Sequence, residues 1–122
     1  MTAIEYIEAS GVPEGMWHNL ADWFNWFEKQ GMVGIVEDSN GIAGVALARC
    51  LREGQKPDHY VHSEDGDNVF VDLTISSKGA ISLRCLLVLL WERFGIRKRI
   101  TFNRSGKSRS YDYMNFMRKA RV

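Results

Sequence analysis

The sequence predicts an α+β domain in which helices are layered on a mixed, mostly antiparallel sheet of about five strands. Three observations lead there. Two apolar runs flank the turn Asp38-Ser39-Asn40-Gly41, an amphipathic helical stripe precedes them, and a strand–helix–strand run follows between Val69 and Asn103. At 122 residues with 45% hydrophobic content, the chain suits one compact domain covering residues 1–122 and is too apolar for a disordered segment.

The first predicted helix enters at Val12-Pro13-Glu14, where proline is tolerated in the first turn and an acid sits beside the positive end of the helix dipole. Met16, Trp17, Leu20, Trp23, Phe24 and Phe27 recur at steps of three and four, one stripe wide enough to cover a sheet. Trp17, Trp23 and Trp26 therefore read as core and rim rather than as a ligand cage, and Gly31 ends the helix. Met32 to Glu37 and Ile42 to Leu51 then form an antiparallel hairpin, because Asn-Gly supplies the backbone angles a tight turn demands.

Arg52 to Asn68 lacks a sustained hydrophobic period and reads as an exposed connection. His59 and His62, with Glu64, Asp65 and Asp67 nearby, read as solvated residues, and no metal site is expected. Val69 to Ser76 alternates: Val69, Val71, Leu73 and Ile75 take one face, and Phe70, Asp72, Thr74 and Ser76 the other. Asp72 is thus expected on the polar side, either as a working ionisable group or paired with Arg84 or Arg104.

Ser77-Lys78-Gly79 turns the chain into an apolar helix from about Ala80 to Phe94, which Gly95 closes. A strand that opens through such a turn into a helix aims bare N–H groups and the positive end of the helix dipole at an anion above it. Arg99 to Asn103 follows as a strand with Ile100 and Phe102 inward, a parallel or splayed neighbour of Val69 to Ser76. The order is helix, hairpin, strand, helix, strand, helix.

Charge is divided along the chain. Residues 1–92 hold 6 Lys/Arg against 14 Asp/Glu, a net of −8, while residues 93–122 hold 10 Lys/Arg and one acid, Asp112, a net of +9. Such a cationic block attracts nucleic acid, an acidic protein or cofactor phosphates, or it neutralises the acidic remainder of its own fold. Cys50 and Cys85 lie in apolar runs without close partners and read as small buried hydrophobes. No stretch reaches the roughly 18 apolar residues of a spanning helix. The first ten residues carry acids where a secretory signal carries bases, so the expectation is a cytoplasmic protein without a membrane partner.

The element order, with Asn103 closing a strand and Tyr111-Asp112-Tyr113-Met114-Asn115-Phe116 following, resembles the GNAT superfamily of acyl-CoA-dependent N-acetyltransferases. That family places a central strand before a pyrophosphate-binding loop and helix, and then an Asn, a Tyr and a Gly-Phe pair. Asn115 stands at the glycine position, which Asn suits by entering left-handed backbone readily. The resemblance implies acetyl-CoA as acyl donor and the amine of a small molecule or a protein as acceptor. It implies a CoA-binding set of Ile75, Ser76, Ser77, Lys78, Gly79, Ala80, Ile81 and Ser82, with Asn103 and Arg104. Tyr111 matches the general-acid position, and Asp72, at mid-strand, is the expected base.

In the family's loop a glycine or alanine usually follows Gly79 at the position that Ile81 holds here, and the family usually adds strands after the Gly-Phe pair. Either the sheet is short or a second copy supplies its edge, as a homodimer. The alternative function is a non-catalytic GNAT-like binding or structural protein, of the kind phages encode as accessory or virion components. Its working surface is Arg97, Lys98, Arg99, Arg104, Lys107 and Arg109, facing nucleic acid or an acidic protein, with Asn103 to Ser110 suited to phosphate contacts.

Overall fold

The structure, a computed structural model of the chain, describes residues 2–10, 20–55, 61–76, 86, 88, 92–104 and 107–121. It contains α1 (Ala3–Ala9), α2 (Leu20–Lys29), β1 (Val33–Asp38), β2 (Gly41–Leu51), β3 (Asn68–Ser76), β4 (Arg99–Arg104), β5 (Lys107–Asp112) and α3 (Tyr113–Arg121). Leu86, Val88 and residues 92–94 are helical as well, on the connection between β3 and β4. The five strands form one sheet in the order β1-β2-β3-β4-β5, with β3 and β4 parallel and every other pair antiparallel. This is the expected α+β class with a mixed, mostly antiparallel sheet.

Local chemistry accounts for the element ends. Thr2 caps α1 by a reciprocal box: its hydroxyl accepts from the Glu5 N–H at 3.2 Å, and the Glu5 carboxylate accepts from the Thr2 N–H at 2.9 Å. The carboxyl of Glu5 is held below its ordinary range by those hydrogen bonds to Thr2. Helix α2 closes with the Gly31 N–H on the Glu28 carbonyl and the Met32 N–H on the Phe27 carbonyl, both at 2.9 Å, with Gly31 at φ +70°. That paired geometry needs a residue without a Cβ penalty. At the hairpin tip Asp38 faces Gly41, and the Asp38 carboxylate accepts from the Asn40 N–H at 2.7 Å.

One apolar cluster gathers Ile7, Trp23, Phe24 and Phe27 from the helices with Val45, Leu47, Cys50, Val69, Val71 and Ile100 from the sheet. Trp23 meets Phe27 edge to face at 5.7 Å, so the predicted aromatic stripe of α2 does face inward. Leu86 is fully buried and lies 3.0 Å from where a Cβ would stand on Gly44, so this residue of the β3–β4 connection packs directly on the sheet.

Several sequence expectations are corrected. Helix α1 was not anticipated, and the proposed helix entry at Val12 to Glu14 falls outside the described residues. A fifth strand was not anticipated in the stretch from Asn103 to Ser110, where residues 103–104 and 107–110 pair across a β4–β5 hairpin, Asn103 opposite Ser108 and Arg104 opposite Lys107. The fifth strand therefore comes from this chain itself. Asn115 lies inside α3, its N–H donated at 2.9 Å to the Asp112 carboxylate that caps the helix, so it is a right-handed helical residue and not a left-handed stand-in for glycine.

In the connection after β2, the described residues 61–67 are tied to the rest of the fold more closely than their composition implied. The His62 side chain is only 3% exposed: its Nδ1 accepts from the Cys50 N–H at 3.0 Å, which leaves the proton on Nε2, 3.0 Å from Glu64 Oε1. Arg97 donates to the carbonyls of Phe94, Glu64 and Gly66 at 2.7–2.9 Å, tying this loop to the end of the β3–β4 connection. Both residues do structural work where the sequence suggested a solvated histidine and a cation of the working surface.

Candidate functional site

The site is built where the sheet stops being continuous. Parallel pairing of β3 and β4 runs from Asn68↔Arg99 to Val71↔Phe102 and ends there, although β3 continues to Ser76 and β4 to Arg104. Beyond Val71, β3 stays paired to β2 as far as Gly44↔Ser76, while β4 stays paired to β5 as far as Arg104↔Lys107. The sheet thus divides at this end, among the described residues, into a β1-β2-β3 part and a β4-β5 part. Ligands of sheets with parallel strands settle beyond the strands' carboxyl ends, which is where this division lies.

The division coincides with a register slip. Leu47 pairs with Leu73 and Ala48 with Val71, so Asp72 is an extra residue on β3 with no opposite number on β2. An extra residue bends its strand and increases the local twist. The Asp72 side chain is 1% exposed and is held by Arg49, also 1% exposed: Arg49 Nε donates to one carboxylate oxygen at 3.0 Å and Nη2 to the other at 3.1 Å. The guanidinium also lies 5.1 Å from the centre of the Phe70 ring. Burial pushes the Asp72 carboxyl up to about 6, against the opposing pull of the Arg49 charge and hydrogen bonds.

Tyr111 stands in β5 opposite Ile100, 41% exposed, with its ring 6.3 Å from Phe102 and 5.4 Å from Phe116. Phe102, the last β4 residue paired to β3, is 5.1 Å from Phe116. The three rings form an aromatic patch on the β4–β5 side of the division, and the Tyr111 hydroxyl belongs to its exposed member.

The two expected catalytic residues are directed to opposite faces. Tyr111 shares a face with Ile100 and Val69 by direct register, whereas Asp72 reaches Arg49 on the Phe70 face. The expectation of Asp72 as a base on an open polar side is corrected: the carboxylate is buried, both its oxygens are engaged, and its partner is Arg49 rather than Arg84 or Arg104. A carboxylate with a side chain only 1% exposed and already closed into a two-point ion pair is not open to an amine arriving from solvent. Arg49 is the residue sequence reasoning missed. Its signal was a single cation inside the apolar run Ile42 to Leu51.

Of the expected CoA-binding set, Ile75 and Ser76 close β3 and are half-buried, and Asn103 and Arg104 close β4. Ser77, Lys78, Gly79, Ala80, Ile81 and Ser82 lie outside the described residues. Arg97, counted in the cationic surface, is committed to three backbone carbonyls. Lys98 approaches Asp67 at 3.6 Å on the surface, and Arg99 and Arg109 are exposed. Among the described residues no helix is long and apolar enough to cross a membrane. Comparison of the chain with known proteins gave no match to a family model, to a curated protein or to a solved structure.

Proposed function

We propose that this chain is an acyl-CoA-dependent N-acyltransferase that moves an acetyl group to an amine. The observation that supports this reading is the end of β3–β4 pairing at Val71↔Phe102, with both strands running on. A gap between two parallel strands offers main-chain N–H and C=O groups to an extended, amide-bearing donor, much as a sheet edge accepts an added strand. The residues following β3 carry Gly79 at the entry of the predicted helix, where the donor's phosphates gain from the positive end of the helix dipole.

In this reading the acceptor amine attacks the thioester carbonyl as the neutral base, the C–N bond forms, and the C–S bond breaks with the thiolate leaving. Tyr111, the exposed member of the aromatic patch, protonates that thiolate. The amine's proton passes to water. Thermal-shift titration tests the reading: acetyl-CoA raises the melting temperature, and Gly79→Asp, which adds negative charge where phosphates are expected, abolishes the rise. The absence of any rise in the unaltered protein refutes it.

A second reading, a non-catalytic partner-binding protein, draws on β5. This edge strand exposes Ser108, Arg109, Ser110 and Tyr111 in the most cationic part of the chain. It requires instead that nucleic acid or an acidic protein gives the shift and that the shift fades steeply with salt.

A further inference from the structure

The bulge at Asp72 and the end of the β3–β4 ladder fall on consecutive residues, 72 and 71, and the only buried ion pair among the described residues is attached to that bulge. Hydrophobic patterning alone holds this register unevenly. Val69 and Val71, before the bulge, are fully buried, but Leu73, Thr74, Ile75 and Ser76, beyond it, are only half-buried. A one-residue slip of the outer segment would exchange its two faces, taking the half-buried Leu73 and Ile75 off the core they pack against. That packing is partial, and a contact at the bulge itself must help to keep Asp72 looped out.

The Arg49 fork does so. Two hydrogen bonds from one planar guanidinium fix both position and orientation of the Asp72 carboxylate, which a single ammonium does not. A buried ion pair adds little stability over well-packed apolar side chains, so its location matters more than its strength, and here it fixes a register. We propose that Arg49 and Asp72 are positioning residues: their ion pair locks the β3 bulge and thereby holds β3 and β4 apart at the thioester site. The ligand in this statement rests on the acyltransferase reading; the locked opening does not.

The test uses the double variant Arg49→Met/Asp72→Leu, which replaces the pair by apolar side chains of similar reach, and reads two quantities. Hydrogen exchange followed by mass spectrometry reports the backbone of Leu73 to Ile75, and thermal shift reports acetyl-CoA binding. The double variant melts no lower than the parent, its exchange across Leu73 to Ile75 slows at least tenfold as β3 closes on β4, and its acetyl-CoA affinity falls at least tenfold. Arg49→Lys, which keeps the charge but loses the fork, slows the same exchange by at least threefold and guards against a double variant that does not fold. Unchanged exchange across Leu73 to Ile75 in both variants overturns the lock. If the parent itself shows no acetyl-CoA shift, the acyltransferase reading fails and the exchange result still decides the lock.

Discussion

Replacing Arg49 by methionine leaves the Asp72 carboxylate in place and removes its partner, a change whose size follows from the burial of both side chains at 1% exposure. Breaking one side of a buried ion pair costs about 3–5 kcal/mol, because the remaining charge is neither solvated nor paired. For a chain of this length about 1 kcal/mol moves the melting temperature by roughly 3–6 °C, so Arg49→Met is expected to melt about 10–30 °C below the parent at pH 8.

The loss depends on pH in a direction that follows from linkage. Burial already raises the Asp72 carboxyl from 3.8 to about 6 with Arg49 present, and Arg49 supplies the two influences that pull it down. Without Arg49 the folded-state value rises further. The folded protein then holds a proton that the unfolded chain has released, from about pH 4 upward, and stability falls as pH rises through that window. The variant should therefore be close to the parent near pH 4.5 and fall progressively behind it towards pH 8, measured by urea unfolding at each pH. A variant within about 1 kcal/mol of the parent at pH 8, or one whose deficit does not shrink on acidification, refutes the account of Asp72 as a buried charge held by Arg49.

Three other outcomes are expected. Gly66→Ala places a Cβ 2.6–2.7 Å from the Leu51 backbone and displaces a loop held by Gly66 to Ser63 and Arg97 to Gly66. A stability loss of about 3 kcal/mol in chemical denaturation is expected, and a neutral result contradicts the packing of that loop. Cys50, fully buried with its thiol pushed up to about 11 by burial, stays unmodified by iodoacetamide at pH 8 in the native protein and reacts once unfolded, as peptide mass mapping will show. Tyr111→Phe keeps the ring contacts with Phe102 and Phe116 and the melting temperature, while turnover with acetyl-CoA and an amine drops by about 10²-fold; undiminished turnover removes Tyr111 as the acid.

How much was legible varied with the range of the interactions involved. The α2 stripe, the Asp38 to Gly41 turn, the alternation at the start of β3 and the closing Gly95, at φ +68°, were all readable, because each is imposed by residues a few positions apart. Helix α1 was equally local, its Thr2-x-x-Glu5 box being a start signal that went unread. Strand β5 was hidden for a different reason. Lys107, Ser108, Arg109 and Ser110 have little strand propensity, and they are extended because β4 offers them a ladder.

The amino-acid sequence by itself determined the class of this protein: periodicity and turn chemistry specify which segments are helix or strand, and the division of charge belongs to the chain whatever its fold. Tertiary structure alone decided the candidate site. The slip at Asp72, the choice of Arg49 as its partner over Arg84 or Arg104, and the placing of Tyr111 and Asp72 on opposite faces all depend on register between strands far apart in sequence. A shift of one residue in that register exchanges the faces of every side chain involved, and only the packed sheet selects between the two.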